Sequence, residues 1–241
     1  MVEEVTRSYC ERCVKKRQWS CCTGTYPYPT IDDIRLMCAV MDKDQIMSRL
    51  QLMSVSPSFL DDIENGQRNR DDLLLTVPDE DRDLHKIFLR KVEDPVYGEK
   101  CVFLQDGVGC VLGRLRPACC RIFPYTYVTD PNAKHGCVLE LDPECTAHQE
   151  QLSIKDSLKA LDMDYDRVMS EWSLYAASMQ EHGDFLSRIS HEGIYLHSIL
   201  PLTVEYAWET RDRCRTTQLV ATGQDHGPDF WPLDALDTEE E

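Results

Sequence analysis

The chain has 241 residues, a hydrophobic content of 42% and a formal net charge of −17. That length and content are sufficient for one compact domain, or for a core region with a helical extension, without disulfides. The negative charge disfavours nucleic acid as a partner, because binding to phosphates relies on Lys and Arg. No export signal opens the chain, and no stretch approaches the roughly 18 apolar residues that cross a bilayer. We therefore expect a cytoplasmic protein that binds neither nucleic acid nor membrane.

Cysteines are concentrated in the first part of the chain. Eleven of the twelve lie within the first 145 residues, and only Cys214 lies beyond them. In a reducing compartment, such thiols serve as metal ligands, redox groups or small buried side chains. A disulfide framework is the alternative, since twelve is an even number, but the missing export signal disfavours it.

The segment that follows the first cysteines predicts a helix. Thr30 is a typical N-cap residue, and the acidic Asp33 follows three positions later, as in a capping box. Apolar residues at helical spacing continue to position 41. This pattern places Cys38 in the core of a helix.

The rest of the region between the two cysteine groups is also predicted to be mainly helical. Apolar residues over 46–53 repeat at helical spacing, and a weaker helix begins at Ser58. Residues 64–83 are mostly polar and predict a loop. We therefore expect a helical insert over about residues 30–90.

Short strands are predicted around the second cysteine group. The apolar runs 101–104 and 110–112 are separated by a turn sequence, which indicates a β-hairpin. The segments 125–128 and 137–141 predict further short strands beside it.

The C-terminal part is predicted to be helical. A capping box at Ser153 begins a long pattern of apolar residues every three or four positions, and Gly183 is a natural stop. A second helix over 185–200 would end at the following proline, and a third would begin near Thr203. The last residues, 224–241, predict an acidic tail.

These elements predict an α+β fold that is mainly α. It would consist of a small cysteine-rich metal-binding core with short strands, a helical insert and C-terminal helices. The predicted organisation is a cysteine-cluster domain over residues 1–150, a helical extension packed on it over 151–223, and the tail.

The spacing of the cysteines points to a metal site. Cys10 and Cys13 form a CxxC, the tightest common loop that brings two thiolates to one metal. Cys21 and Cys22 follow, and the second group extends from residue 101 to residue 145. Neither the repeated CxxC of a zinc ribbon nor the closely spaced run of a ferredoxin is present, so the spacing leaves the metal open.

The pattern resembles the YkgJ-type cysteine-cluster family of zinc- or iron-chelating proteins, which are often described as iron–sulfur proteins. The most specific element is Arg116-Pro-Ala-Cys-Cys-Arg-Ile-Phe-Pro124, and the resemblance covers residues 10 to about 145. It implies ligand roles for the following cysteines: Cys10, Cys13, Cys21, Cys22, Cys101, Cys110 and Cys120, with Cys137 or Cys145 as a later ligand.

Two features depart from that family. The gap between Cys13 and Cys21 is longer than usual, which puts in doubt that both first pairs reach one centre. Cys119 has no family counterpart, and adjacent side chains project in different directions, so we predict that Cys120 is a ligand and Cys119 is not.

Charged and imidazole groups near the ligands have candidate roles. Arg116 and Arg121 flank Cys120 and could stabilise the negative charge of a thiolate-bound cofactor, or could instead pair with carboxylates. His135 and His148 stand close to cysteines in sequence and could replace a thiolate, although lone histidines are more often ordinary surface residues.

Three functions remain open from the sequence. The first is a protein holding an iron–sulfur centre of the [4Fe–4S] type, for electron transfer, sensing or a chemical step. The second is a structural zinc-binding adaptor, whose segment 230–233 could dock on a protein partner. The third is an enzyme, since the motif also resembles that of flagellin lysine N-methylase. No Ser-His-Asp order and no glycine-rich methyl-donor motif is evident in the sequence.

Overall fold

The computed structural model describes residues 21–65, 70–105, 109–129, 137–143 and 145–215. The helices are α1 (Cys21–Gly24), α2 (Ile31–Met37), α3 (Lys43–Arg49), α4 (Phe59–Glu64), α5 (Ala118–Ile122), α6 (Thr146–Gln149), α7 (Ile154–Ala160), α8 (Tyr165–His191) and α9 (Leu196–Glu209). The strands are β1 (Leu50–Ser54), β2 (Thr76–Pro78), β3 (Leu84–Leu89), β4 (Lys91–Asp94), β5 (Gly98–Cys101), β6 (Leu104–Gln105), β7 (Gly109–Cys110), β8 (Tyr125–Thr129) and β9 (Cys137–Leu141). Short 3₁₀-helices cover Arg70–Leu75, Gly113–Leu115 and Arg211–Arg213. The fold is thus mixed α and β, as predicted.

The strands form one small sheet and three hairpins, all antiparallel. The sheet has the order β1-β3-β2, so that β3 lies in its centre. Leu50 pairs with Leu89 at one end of β1, and Ser54 pairs with His85 at the other. The pairs β4–β5, β6–β7 and β8–β9 follow along the chain. Cys101, Cys110 and Cys137 of the second cysteine group therefore lie on these short hairpins.

The main apolar core lies between α2, α3 and the three-stranded sheet. Ile31, Ile34 and Met37 are fully buried on α2, and Leu50 of β1 packs with them. Ala207 of α9 belongs to the same cluster, as do Cys101 and other residues of the hairpins. The C-terminal helix thus contributes to the core of the first part of the chain.

The capped helix at Thr30 is confirmed. The backbone N–H and the hydroxyl of Thr30 both donate to the Asp33 carboxylate, at 2.8 and 2.9 Å, and α2 begins at Ile31. Cys38 is buried at the end of α2, as its helical position predicts. This part of the fold is encoded locally.

The prediction of a helix over 46–53 is wrong in its second half. The helix ends at Arg49, and Leu50–Ser54 forms β1 instead. The periodicity of so short an apolar run does not distinguish a helix from a strand, and here pairing with the backbone of β3 determines the conformation. The helix near Ser58 is confirmed as α4.

The loop expected over 64–83 and the helical insert are also partly wrong. A 3₁₀-helix covers Arg70–Leu75 and β2 covers Thr76–Pro78, whereas residues 66–69 lie outside the described residues. Strands β3 and β4 form the end of the predicted insert instead of a helix. Each pairs with a neighbouring strand, and charged residues are compatible with strands that are partly exposed.

The predicted hairpin around Cys110 exists in shorter form, as β6 and β7. Cys101 is not part of that hairpin. It ends β5 and pairs with Lys91 of β4. The two further strands are confirmed, since β8 and β9 pair with each other over their whole lengths.

The C-terminal helices differ from the prediction at their ends. The cap at Ser153 is confirmed, but α7 ends at Ala160, and α8 starts anew after the N-cap Asp164. Gly183 lies inside α8 and does not end the helix. The residue is glycine because a Cβ there would be 2.9 Å from Leu74, and only glycine permits this close approach. The break falls instead at Gly193, where φ is 71°.

The third helix begins earlier than predicted. Helix α9 starts at Leu196 and carries Pro201 inside it rather than after it. The acidic tail over 224–241 lies outside the described residues. In the part of the chain that the structure describes, every helix is too short or too polar to cross a bilayer.

Candidate metal centre

Several predicted ligands lie outside the described residues. Cys10 and Cys13 belong to the segment 1–20, and His135 to the segment 130–136. Cys21 opens α1 and Cys137 opens β9, but their side chains also lie outside the description. The candidate centre is therefore built from the remaining cysteines.

Five cysteines from four elements lie in one region. Cys22 belongs to α1, Cys101 ends β5, Cys110 lies in β7, and Cys119 and Cys120 lie in α5. Burial, with smaller contributions from the nearby Cys22, Cys110 and Cys119 thiols, raises the pKa of the Cys101 thiol to about 12. The thiols of the first and second sequence groups are thus close enough to affect one another.

The backbone around α1 explains how Cys22 reaches this region. Lys91 of β4 donates from Nζ to the Thr23 carbonyl at 2.7 Å. The Leu89 N–H donates to the Pro27 carbonyl at 2.8 Å, so the segment after α1 runs along the end of β3. These bonds hold α1 beside the β4–β5 hairpin that carries Cys101.

Cys119 and Cys120 have different surroundings although they are adjacent. Their sulfurs are 4.0 Å apart, and the Cys119 thiol donates to the Tyr28 carbonyl at 3.5 Å. The pKa of the Cys120 thiol is raised by its hydrogen bond with Cys119, by burial, and by the charges of Cys119, Cys110 and Cys22. Cys120 therefore lies close to Cys110 and Cys22, whereas Cys119 lies close to Cys101, so both members of the pair adjoin the other cysteines.

Backbone N–H groups point at two of the sulfurs. The Phe103 backbone lowers the pKa of the Cys101 thiol against the larger effect of burial. The pKa of the Cys110 thiol is raised by burial, whereas hydrogen bonds from the Leu112 and Gly113 backbone lower it. Hydrogen bonds of this kind stabilise a thiolate and tune the metal that it binds.

Arg116 acts on the cysteines from the surface. Its exposed guanidinium lowers the pKa of the Cys110 thiol, because a nearby positive charge favours the thiolate. Stabilisation of a thiolate-bound cofactor by Arg116 stays a prediction. Its backbone carbonyl accepts a hydrogen bond from Arg121, which fixes the turn before α5.

Arg121 is buried and pairs with carboxylates. Its Nε and NH2 atoms lie 3.1 and 3.0 Å from Oε2 of Glu171, and NH1 lies 3.9 Å from Oδ1 of Asp33. Asp33 also accepts from the Ala118 N–H at 2.8 Å, at the start of α5. Arg121 therefore links α5 to α2 and α8 through carboxylates, which is the alternative interpretation of this residue.

The other described cysteines lie elsewhere. Cys145 is the N-cap of α6 and packs with the apolar cluster around Tyr125. Burial raises the pKa of the Cys38 thiol to about 11, and its neighbour among the cysteines is Cys214. His148 is exposed at the end of α6. These cysteines provide controls for the five that lie together.

A buried polar group that the sequence did not reveal adjoins Cys119. Lys86 Nζ lies 3.3 Å from the centre of the Tyr28 ring and 3.4 Å from Asp72 Oδ1. Tyr175 and His182 of α8 are also buried, and burial raises the pKa of the Tyr175 hydroxyl. No sequence motif marks these residues, because they come from separate elements and meet only through packing.

The donor set fits a metal in its chemistry but does not complete a ligand cage. Within the ranges that the structure describes, no three His, Cys, Asp or Glu side chains are placed to hold one metal ion. Without a cation, crowded thiols raise the pKa values of their neighbours and remain protonated. A bound cation would reverse this, because coordination favours the thiolate.

Comparisons with family models, with curated proteins and with solved structures gave no match. The resemblance to the YkgJ-type family therefore stays a proposal that depends on the residues alone.

Proposed function

We propose that the chain is a cysteine-cluster metal protein that holds an iron–sulfur centre of the [4Fe–4S] type. The observation that carries the proposal is the meeting of Cys22 with Cys101, Cys110 and Cys120, which lie almost 80 or more residues away in sequence. Cys10, Cys13 and Cys21 would contribute from the first sequence group. A YkgJ-type family membership would account for this arrangement.

The chemistry of the region favours iron–sulfur over zinc. The donors that lie together are all sulfurs, and three of them pack against the main apolar core. Thiolates, burial and N–H groups directed at sulfur are the features that hold and tune iron–sulfur clusters. Zinc in an all-cysteine site is the alternative, and it would make the chain a structural module that docks on a protein partner.

The same chemistry supports a cytoplasmic location, because unpaired thiol ligands persist in reducing compartments. The charge of −17 supports a partner other than nucleic acid. Both statements belong to the proposal.

The test compares single Cys→Ser variants purified without oxygen. Cys120→Ser should lose most of the bound metal, because it removes a thiol that faces three other cysteines. Cys119→Ser should keep metal near the wild-type level. Cys214→Ser is the matched control, since Cys214 is partly buried like Cys120 but lies against Cys38. Metal and acid-labile sulfide per chain are measured for each.

Equal metal loss in Cys120→Ser and Cys214→Ser would contradict the proposed location of the centre. Loss in Cys119→Ser alone would reverse the assignment within the adjacent pair. Stoichiometric zinc without sulfide in the wild type would replace the iron–sulfur centre by the zinc alternative.

A further inference from the structure

A serine, a histidine and an aspartate meet at the end of the three-stranded sheet. Ser54 ends the edge strand β1 and pairs in register with His85 of β3. The Ser54 Oγ lies 3.0 Å from the His85 Nε2, and Ser54 is exposed. Side chains alternate along a strand, so His85 lies on the face opposite to that of the buried Lys86. The group is thus separate from the polar cluster beside Cys119.

The hydrogen bonds fix the tautomer of the histidine. The His85 Nδ1 lies 3.1 Å from the Asp83 carbonyl oxygen, which can only accept. Nδ1 therefore carries the proton in the neutral ring, and Nε2 has a free lone pair. The Ser54 hydroxyl must then donate to Nε2. This is the orientation in which an imidazole acts as a general base towards a serine.

A carboxylate stands behind the ring. Asp79 Oδ2 lies 3.8 Å from the His85 Nδ1. The other carboxylate oxygen accepts from the Asp81 and Asp83 N–H groups at 3.0 and 2.8 Å, which holds the side chain in place. A fixed negative charge at this distance stabilises the imidazolium that forms when the ring takes a proton.

We propose that Ser54 and His85 form a nucleophile–base pair, oriented by the Asp83 carbonyl and backed by the Asp79 carboxylate, that hydrolyses carboxylic esters. Ser54 Oγ attacks the ester carbonyl while its proton passes to His85 Nε2. The ester C–O bond then breaks, and the leaving alcohol takes that proton. Water, deprotonated by the same nitrogen, next attacks the acyl carbon. The acyl–Oγ bond breaks, the carboxylic acid leaves, and the proton returns from His85 Nε2 to Ser54 Oγ. Because Ser54 is exposed at a strand end, the substrate class is a small ester or one at the end of a flexible chain.

The test uses an alkyl fluorophosphonate on the full-length protein as purified. Ser54 Oγ forms a bond to phosphorus, fluoride leaves, and the adduct is located by peptide mass spectrometry. Ser48 serves as an internal control, because it is exposed but donates to the Gln45 carbonyl rather than to an imidazole. We expect the adduct on Ser54 and not on Ser48, and we expect Ser54→Ala to abolish hydrolysis of p-nitrophenyl acetate above the buffer rate.

Two further variants separate catalysis from structure. His85→Gln should slow adduct formation by about 100-fold or more, which is the lower range of general-base catalysis. Asp79→Asn retains an oxygen for both backbone N–H groups but removes the charge. It should lower the maximal rate of adduct formation without changing the probe concentration that gives half of that rate.

Metal content and the circular dichroism spectrum are measured for every variant and should equal those of the wild type. A change in the labelling of Ser54 without a change in metal content or circular dichroism is then independent of the proposed metal centre. Labelling of Ser54 no faster than that of Ser48 in the folded wild type would overturn the proposal. Equally fast labelling of Ser54 in the wild type and in His85→Gln would do the same.

Discussion

The loss of folding stability at acid pH should originate in large part from one buried histidine, His182. His182 lies inside α8 with a relative exposure of 1%, and both ring nitrogens lack a hydrogen-bond partner among the described residues. Burial, together with the nearby charge of Lys86, lowers the pKa of His182 from 6.5 to about 3, against a smaller opposing effect of Glu181. The folded protein therefore keeps this ring neutral at any moderate pH.

The sign and size of the effect follow from proton binding. Between pH 6.5 and about 3 the unfolded chain binds a proton at His182 and the folded chain does not, so the free energy of unfolding falls as the pH falls. From pH 7.5 to pH 5.0 this linkage amounts to about 2 kcal/mol for a single histidine with an unfolded pKa of 6.5. The figure does not depend on the folded pKa, provided that this pKa stays well below 5.

The assay is urea denaturation of the wild type and of His182→Phe at pH 7.5 and 5.0. The variant replaces the ring by an apolar one of similar size, and it should lose about 2 kcal/mol less than the wild type over this interval. His197→Gln changes an exposed histidine on α9 and serves as the control. An identical pH dependence in wild type and His182→Phe would show that His182 does not cause the loss of stability in acid.

Three further predictions concern packing, charge and the metal. Gly183→Ala should lower the free energy of unfolding by about 1–3 kcal/mol, because its Cβ would lie 2.9 Å from Leu74, and an unchanged urea midpoint would contradict this close approach. Glu171→Gln should lower the free energy of unfolding by about 3 kcal/mol, because the buried charge of Arg121 keeps a weaker partner. The control Lys43→Ala removes an exposed ion pair between α3 and α9 and should lower it by less than about 1 kcal/mol. Removal of the metal by a chelator under anaerobic conditions should lower the thermal midpoint, since metal binding is coupled to folding, and no shift in a protein shown to contain metal would contradict that coupling.

Local signals in the sequence predicted local structure well. The cap at Thr30 and the cap at Ser153 each depend on residues within one turn, and the structure confirms both helix starts. The strand Leu50–Ser54 could not be predicted in this way, because a distant strand determines its conformation. Gly183 resembled a helix stop, yet its role is a close contact with Leu74 that only the tertiary structure reveals.

The candidate site shows the same division. The cysteine spacing indicated that the two sequence groups share a function, and Cys22 does lie near the second group. Asp33 was recognisable as a capping residue, but its hydrogen bond to the start of α5 joins residues 85 positions apart and carries no local signal. Nor did the sequence reveal Ser54, His85 and Asp79, whose order along the chain carries no motif and whose meeting depends on strand register.

The most direct test for the iron–sulfur centre is metal and sulfide analysis of the wild-type protein purified without oxygen, combined with electron paramagnetic resonance before and after reduction. We expect about four irons and four sulfides per chain, and a spectrum that changes on reduction as a [4Fe–4S] centre does. A colourless protein with neither iron nor sulfide, purified under the same conditions, would contradict it.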